Sequence, residues 1–202
     1  MMRAEEVFLE QHENYIKQTY RNRCRIAAAN GVMTLNIPVE SGGGEKIPIK
    51  DVRISSHGDW QMQHWRSIAS AYNSSPFFEY YEDDFRPFYE KKWKFLWDFN
   101  WELMQKTLLL LDIQPHIELT KSYNAVVEND FRDAIHPKKE SIFPTEKYYQ
   151  VFEQKYGFFP DLSILDLLCN MGNEAVLYLT SPKLPPNPLK GELSSNGQKF
   201  RQ

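Results

Sequence analysis

Cys24-Arg25-Ile26-Ala27-Ala28-Ala29-Asn30-Gly31-Val32-Met33-Thr34-Leu35-Asn36-Ile37-Pro38-Val39 sets two β-prone runs on either side of an Asn-Gly pair. Asn and Gly are the residues that take positive φ at least cost, and both central positions of a two-residue hairpin turn require it. The spacing therefore predicts an antiparallel hairpin with strands over residues 24–28 and 33–39. Leu35, Ile37 and Val39 alternate with Asn36 and Pro38, so the second strand is expected to bury one face. Pro38 has no N–H to give a ladder, which places it near a strand end or an edge.

Working outward, Glu6-Val7-Phe8-Leu9-Glu10 reads as a short strand close to the N-terminus, and one this short needs sheet neighbours to hold. Ser41-Gly42-Gly43-Gly44 reads as a flexible hairpin loop. It lacks the Gly-Lys-Ser/Thr and following helix of a phosphate cradle. Residues 50–54 alternate as a further short strand. From Asp59, a plausible N-cap, the period changes to that of a helix carrying Trp65, Ile68, Ala69 and Tyr72, ended by Asn73-Ser74-Ser75-Pro76. Residues 77–90 read as short helical turns broken at Pro87. The longest helix is expected over 91–111, with Trp93, Trp97, Trp101, Met104, Leu108 and Leu111 as its apolar stripe.

Residues 117–120 read as a strand, and 129–145 as a polar, lid-like excursion containing Pro137 and Pro144. A helix follows over 161–172, capped by Asp161 and closed by Gly172. Ala175-Val176-Leu177-Tyr178-Leu179 reads as a final buried strand. Strands, then helices, then a helix and a strand define an α/β chain, an α+β-like mixed sheet with helices packed on it. The expected organisation is one domain over residues 1–182 and a disordered tail over 183–202.

Composition narrows the function classes. The chain has 202 residues, 42% apolar and 14% aromatic, enough for a core without disulfides or metal, and large rings serve cores first and ligands second. A net charge of −3 gives no overall attraction to nucleic acid. Cys24 and Cys169 are far apart with no CxxC companion, which fits a reducing cytoplasm and neither a disulfide framework nor a zinc site. No apolar run approaches the length of a membrane span, and no secretory leader is evident.

The candidate chemistry is concentrated in Tyr15-Ile16-Lys17-Gln18-Thr19-Tyr20-Arg21-Asn22-Arg23-Cys24-Arg25, a basic and aromatic stretch in an acidic chain. On a strand, Arg21, Arg23 and Arg25 project to one face, and their guanidiniums suit a carboxylate or a pyrophosphate. A solvated edge, or ion pairing with the chain's own Glu residues, is the competing explanation at about even weight. His64, between Trp60 and Tyr72 on the predicted helix, has the chemistry of a general base, although a half-buried histidine bonded to backbone is commoner. Glu10, His12 and Glu13 form a second candidate acid–base group, or surface residues of a loop. Cys24 lies among cations that lower a thiol pKa, but its strand-like setting suits a small core residue better. His57, His116 and His136 have no metal-ligand spacing, and no nucleotide-binding or hydrolase fingerprint is present.

Taken together, residues 15–26, Asn30-Gly31 and Leu35-Asn36-Ile37-Pro38-Val39 resemble the WbqC-like family, as does the later run Trp60, His64-Trp65, Ile68, Ala71-Tyr72 and Ser75-Pro76-Phe77-Phe78-Glu79-Tyr80-Tyr81. These segments cover the first half of the chain, and their combined order is more specific than any one of them. The resemblance implies a role in bacterial surface-polysaccharide (O-antigen) gene clusters, acting on an amino sugar or nucleotide-linked sugar, with acyl or aminoacyl transfer as the expected reaction. The alternative is a non-catalytic binding or assembly component. It also implies a further segment with a Gln-Pro-x-Tyr-type motif ahead of residues 6–10, which this sequence does not display. On this reading Tyr15, Lys17, Arg21, Asn22, Arg23, Arg25 and Tyr72 contact a small-molecule substrate, and His64, His12 and Glu10 move protons. The cofactor is unknown.

Overall fold

The computed structural model describes residues 4–40, 43, 46–141, 143 and 145–180; the tail expected over 183–202 and most of the glycine loop lie outside these. The elements are β1 (Val7–Leu9), β2 (Arg23–Ala28), β3 (Gly31–Asn36), α1 (Trp60–Tyr72), α2 (Phe78–Glu90), α3 (Leu96–Leu110), β4 (Ile117–Leu119), α4 (Glu153–Tyr156), α5 (Ile164–Met171) and α6 (Ala175–Leu179). The α/β class holds, with the strands divided between two small sheets. β2 and β3 pair antiparallel, and β1 and β4 pair parallel.

The hairpin forms where the sequence places it, one residue out of the expected turn register. Ala28 pairs with Gly31, so Ala29 and Asn30 sit at the tip. Of these residues only Gly31 takes a positive φ, 101°. Glycine thus supplies a single left-handed step after the turn, in place of the paired Asn-Gly conformation expected. β3 stops at Asn36, short of Val39, because the next groups are taken up elsewhere. The Ile37 N–H donates to the Asn22 carbonyl at 2.8 Å, and the Asn22 side-chain amide donates to the Ile37 carbonyl at 2.9 Å. Pro38 has no N–H, and Val39 then meets Ile54 in an isolated bridge.

The strand expected over 50–54 is replaced by a 3-10 turn, Ile49–Asp51, followed by single bridges from Arg53 to Phe95 and from Ile54 to Val39. Pro48 enters this turn, and Ile49, Val52 and Ile54 are all buried, a spacing that alternation does not produce.

Each long helix buries a stripe. In α1 it is Trp60, His64, Ile68, Ala71 and Tyr72; in α2 it is Phe78, Tyr81, Phe85 and Phe88. α2 runs unbroken through Pro87, contrary to the expected break. Pro87 is exposed, so the carbonyl four residues back can turn to water, while buried Phe85 and Phe88 hold the helix on either side. α3 begins at Leu96, and its core face is Leu96, Phe99, Leu103 and Thr107, not the expected tryptophan stripe. Trp97 and Trp101 are only partly buried, since their amphipathic rings can sit at the edge of the core while Leu and Phe fill it.

Two further expectations are corrected. α5 is capped by Ser163, whose hydroxyl accepts from the Leu165 N–H, while Asp161 lies outside the helix with φ 56°. Residues 175–179 are helical, not a strand: α6 follows α5 through a tight 3-10 turn, Gly172–Glu174, and pairs with no strand. A five-residue apolar run carries no periodicity that separates the two states.

The core has two parts. One joins Ile26 and Leu35 of the hairpin to Ile68, Tyr72, Phe85, Leu165 and Leu168. The other gathers Ile37, Val52, Trp60, Phe88, Leu96 and Phe99. Tyr89 and Leu103 pack against both, so the core is continuous and the chain folds as one domain.

Candidate anion-binding site

The pleat of β2 determines which arginines act together. Arg23 pairs with Asn36 and Arg25 with Thr34, and side chains in register across a ladder share a face. Asn36 and Thr34 are exposed, so this face of the hairpin is open beside the two partly buried arginines. Tyr15 stands next to it. Burial raises the Tyr15 phenol above its ordinary value, and the charges of Arg23 and Arg21 oppose that shift. The Arg23 Nε is buried and has no hydrogen-bond partner among the described residues. An unsatisfied buried donor on a cation calls for an acceptor.

Arg21, expected on the same face, precedes β2 and is engaged elsewhere. Its Nε and Nη2 donate to the two carboxylate oxygens of Glu13, both at 2.8 Å, and the two side chains are only 14% and 15% exposed. This forked bond raises the Arg21 pKa further. Nη2 also donates to the Arg132 carbonyl at 3.3 Å, and the Asn100 amide fixes the Arg21 carbonyl at 2.8 Å. The ion-pair explanation therefore describes Arg21. Asn22 bonds the Ile37 carbonyl and leaves its own Oδ1 buried without a partner among the described residues. Lys17 is exposed.

Glu10 and His12 meet β4's exit. Glu10 Oε1 accepts from the His12 N–H at 2.6 Å and from the Thr120 hydroxyl at 3.0 Å. His12 Nε2 lies 3.1 Å from the Thr120 carbonyl, and Gln11 bonds the same residue through backbone and side chain. Arg132 caps this group. It forks onto Asp130, lies 3.9 Å from Glu10 and stacks over Tyr123 at 5.2 Å, and its bonds hold the Asp130 carboxyl below its usual range. Thr120 and Arg132 reach Gln11 and Glu10 from far along the chain, so the sequence does not mark them as site residues, and Asp130 joins the group only through its neighbour Arg132.

His64 is buried and lies away from this network in contact terms. Its Nε2 is 3.0 Å from the Asn36 carbonyl, so Nε2 carries the proton, and its ring meets Trp60 edge-on at 5.1 Å. Burial depresses its pKa, partly offset by the bond to Asn36. A depressed imidazole contributes stability that is present above 6.5, its ordinary value, and is lost as pH falls through the lower folded value. His64→Gln is expected to flatten the acid side of the stability curve. Urea midpoints measured against pH check this, and an unchanged acid slope would assign it to other groups.

Tyr72 is 1% exposed and faces Asp166 inside the core. Burial pushes the Cys24 thiol up to about 11, which removes the thiolate a nucleophile needs. Glu6, His116 and Glu118 bring one donor atom each within 4.8 Å, all exposed, and are the residues able to share a cation among those described. Strand pairing creates that grouping, since Val7 lies opposite Ile117. Among the described residues no helix is long and apolar enough to cross a membrane.

The model of the WbqC-like protein family matches residues 1–139, a span containing every residue of the hairpin face and of the Glu10–Arg132 network. The "Uncharacterized protein Rv1507c" of Mycobacterium tuberculosis (strain ATCC 25618 / H37Rv) is 26% identical over 204 residues, covering 87% of this chain and 88% of that protein. No solved structure matches the chain.

Proposed function

The chain belongs to the WbqC-like protein family, and from that premise we propose that it recognises a nucleotide-linked or amino sugar used for bacterial surface polysaccharide of the O-antigen type. The hairpin face holds the anionic part of the ligand in this reading, and the protein works in the cytoplasm. Arg23 and Arg25 contact phosphate oxygens, Tyr15 flanks them, and exposed Lys17 adds long-range attraction. The observation that carries the reading is the buried Arg23 Nε, which has no partner among the described residues.

The same geometry favours binding over catalysis. His64 donates to a backbone carbonyl, His12 is held at Thr120, and Glu10 accepts two bonds beside Arg132. Each group proposed to move a proton has its position fixed by the fold. Acyl or aminoacyl transfer on the sugar is the second reading, and it draws on the Glu10–His12 contact.

Thermal-shift titration with nucleotide-linked sugars tests both. At about a hundred times Kd a ligand adds ~2.7 kcal/mol, or roughly 5–10 °C for a domain of this size. Arg23→Ala is expected to abolish that rise while keeping the unliganded melting temperature. A rise that survives in Arg23→Ala, or none with any nucleotide-linked sugar, would overturn the binding site. Turnover of an added acyl or aminoacyl donor would establish the transfer reading instead.

A further inference from the structure

A groove of about 320 Å³ lies between the start of α2 and the turn joining α5 to α6, using none of the residues of the hairpin face. Two aromatic rings present themselves to solvent there, Tyr80 at 71% and Phe77 at 39% exposure. Tyr80 stands edge-on to Tyr81 at 4.9 Å, which steadies a ring that would otherwise swing freely. The Tyr81 hydroxyl donates to Asn173 Oδ1 at 3.3 Å, leaving the amide of Asn173 able to donate. Glu174 adds an exposed carboxylate at the rim.

Asn170, also part of the lining, supplies the second line of argument. It is 3% exposed, its amide nitrogen is committed to the Asp166 carbonyl at 2.7 Å, and its Oδ1 has no partner among the described residues. A buried amide oxygen without a donor is costly unless something supplies one.

We propose that this groove binds one neutral pyranose ring. The chemistry of the lining selects that class. Among the described residues no cation lines the groove, and Glu174 gives it negative potential, so phosphates and carboxylates are repelled. A purely apolar ligand would leave the amides and the carboxylate desolvated without bonds. A sugar ring matches both requirements: its axial C–H face carries partial positive charge and lies on the negative face of a phenol or phenyl ring, while its edge hydroxyls both donate and accept. Glu174 then accepts from a hydroxyl and Asn173 donates to one, while Asn170 lies buried at the groove's lining. The volume fits a single ring rather than a chain, and it lies at the small end of ligand sites.

This site stands apart from the hairpin face, and the two are tested separately. Saturation-transfer NMR with methyl β-glucoside, methyl β-galactoside, methyl α-mannoside and N-acetylglucosamine reads binding directly. At least one of these is expected to receive saturation from wild-type protein. Tyr80→Ala, at an exposed position, is expected to weaken that sugar roughly tenfold or more, and Glu174→Gln to weaken it less. Arg23→Ala should leave it unchanged. No transfer to any of the four sugars would overturn the proposal, as would binding that survives in Tyr80→Ala or is lost in Arg23→Ala. Melting temperatures of the variants close to wild type confirm that loss of binding is not loss of fold.

Discussion

Gly172→Ala is expected to lower the unfolding free energy by about 2–5 kcal/mol, a large share of the stability of a domain this size. Gly172 has φ 57° and ψ −133°, a region essentially closed to residues with a Cβ. The space is closed as well. A Cβ there would stand 2.7 Å from Cδ1 of Phe77, with Cε1 and Cγ at 2.8 and 2.9 Å. The Phe77 N–H is tied to the Cys169 carbonyl at 3.0 Å, which pins the backbone at the start of α2 against the end of α5, so the clash is relieved only by turning the Phe77 ring out of its rotamer. Two contributions are separable. Adding Phe77→Ala to Gly172→Ala should recover the steric part and leave the backbone part, so the double variant should lie above the single one in urea unfolding. A Gly172→Ala variant within ~0.5 kcal/mol of wild type would contradict this packing.

Asp166→Ala is expected to cost about 2–4 kcal/mol, and Asp166→Asn much less. Asp166 is fully buried on α5, where its Oδ2 accepts from the Tyr148 hydroxyl at 2.8 Å and from the Gln150 amide at 3.0 Å. Gln150 in turn clamps Phe159 through both its amide groups. Alanine leaves these donors buried and unpaired, whereas asparagine keeps an oxygen for them and sets its amide beside Tyr72, which faces the same carboxyl. Burial raises the Asp166 pKa above 3.8. The folded state therefore holds the proton more tightly than the unfolded chain does. The stability from this group is fully present below 3.8 and is lost as pH rises through the folded value. Asn mimics the protonated acid, so the difference between Asp166→Asn and wild type should move in favour of the variant with rising pH. Denaturant midpoints across the acid-to-neutral range measure it, and parallel curves would show that Asp166 keeps an ordinary pKa.

What was legible in the sequence was local and periodic. The hairpin, the buried face of α1 and the end of α1 before Asn73-Ser74-Ser75-Pro76 all follow from patterns of a few residues. The misreadings share a cause, since each turns on what a segment packs against. Residues 175–179 and 50–54 are short apolar runs that take whichever conformation their neighbours permit. The three-and-four spacing of the tryptophans predicts a core stripe for α3, yet Leu96 and Phe99 fill it. Asp166 carries a signal of its own in the sequence: a carboxylate inside Leu165-Asp166-Leu167-Leu168 must be paired or neutral. The candidate site was half legible. Its basic residues stand out in composition, but which arginine is free depends on Glu13 and on a loop more than a hundred residues away.

The side-chain Nε–H resonance of Arg23 tests the anion site most directly, because that group is a buried donor without an acceptor among the described residues. Arg21 serves as the internal control, with its Nε already bonded to Glu13 at 2.8 Å. Titrating a nucleotide-linked sugar into ¹⁵N-labelled protein should move the Arg23 Nε–H resonance downfield as it gains an oxygen acceptor, while Arg21 stays in place. An Arg23 resonance that does not move at saturating ligand, or a shift confined to Arg21, would contradict an anion held on the face of the hairpin.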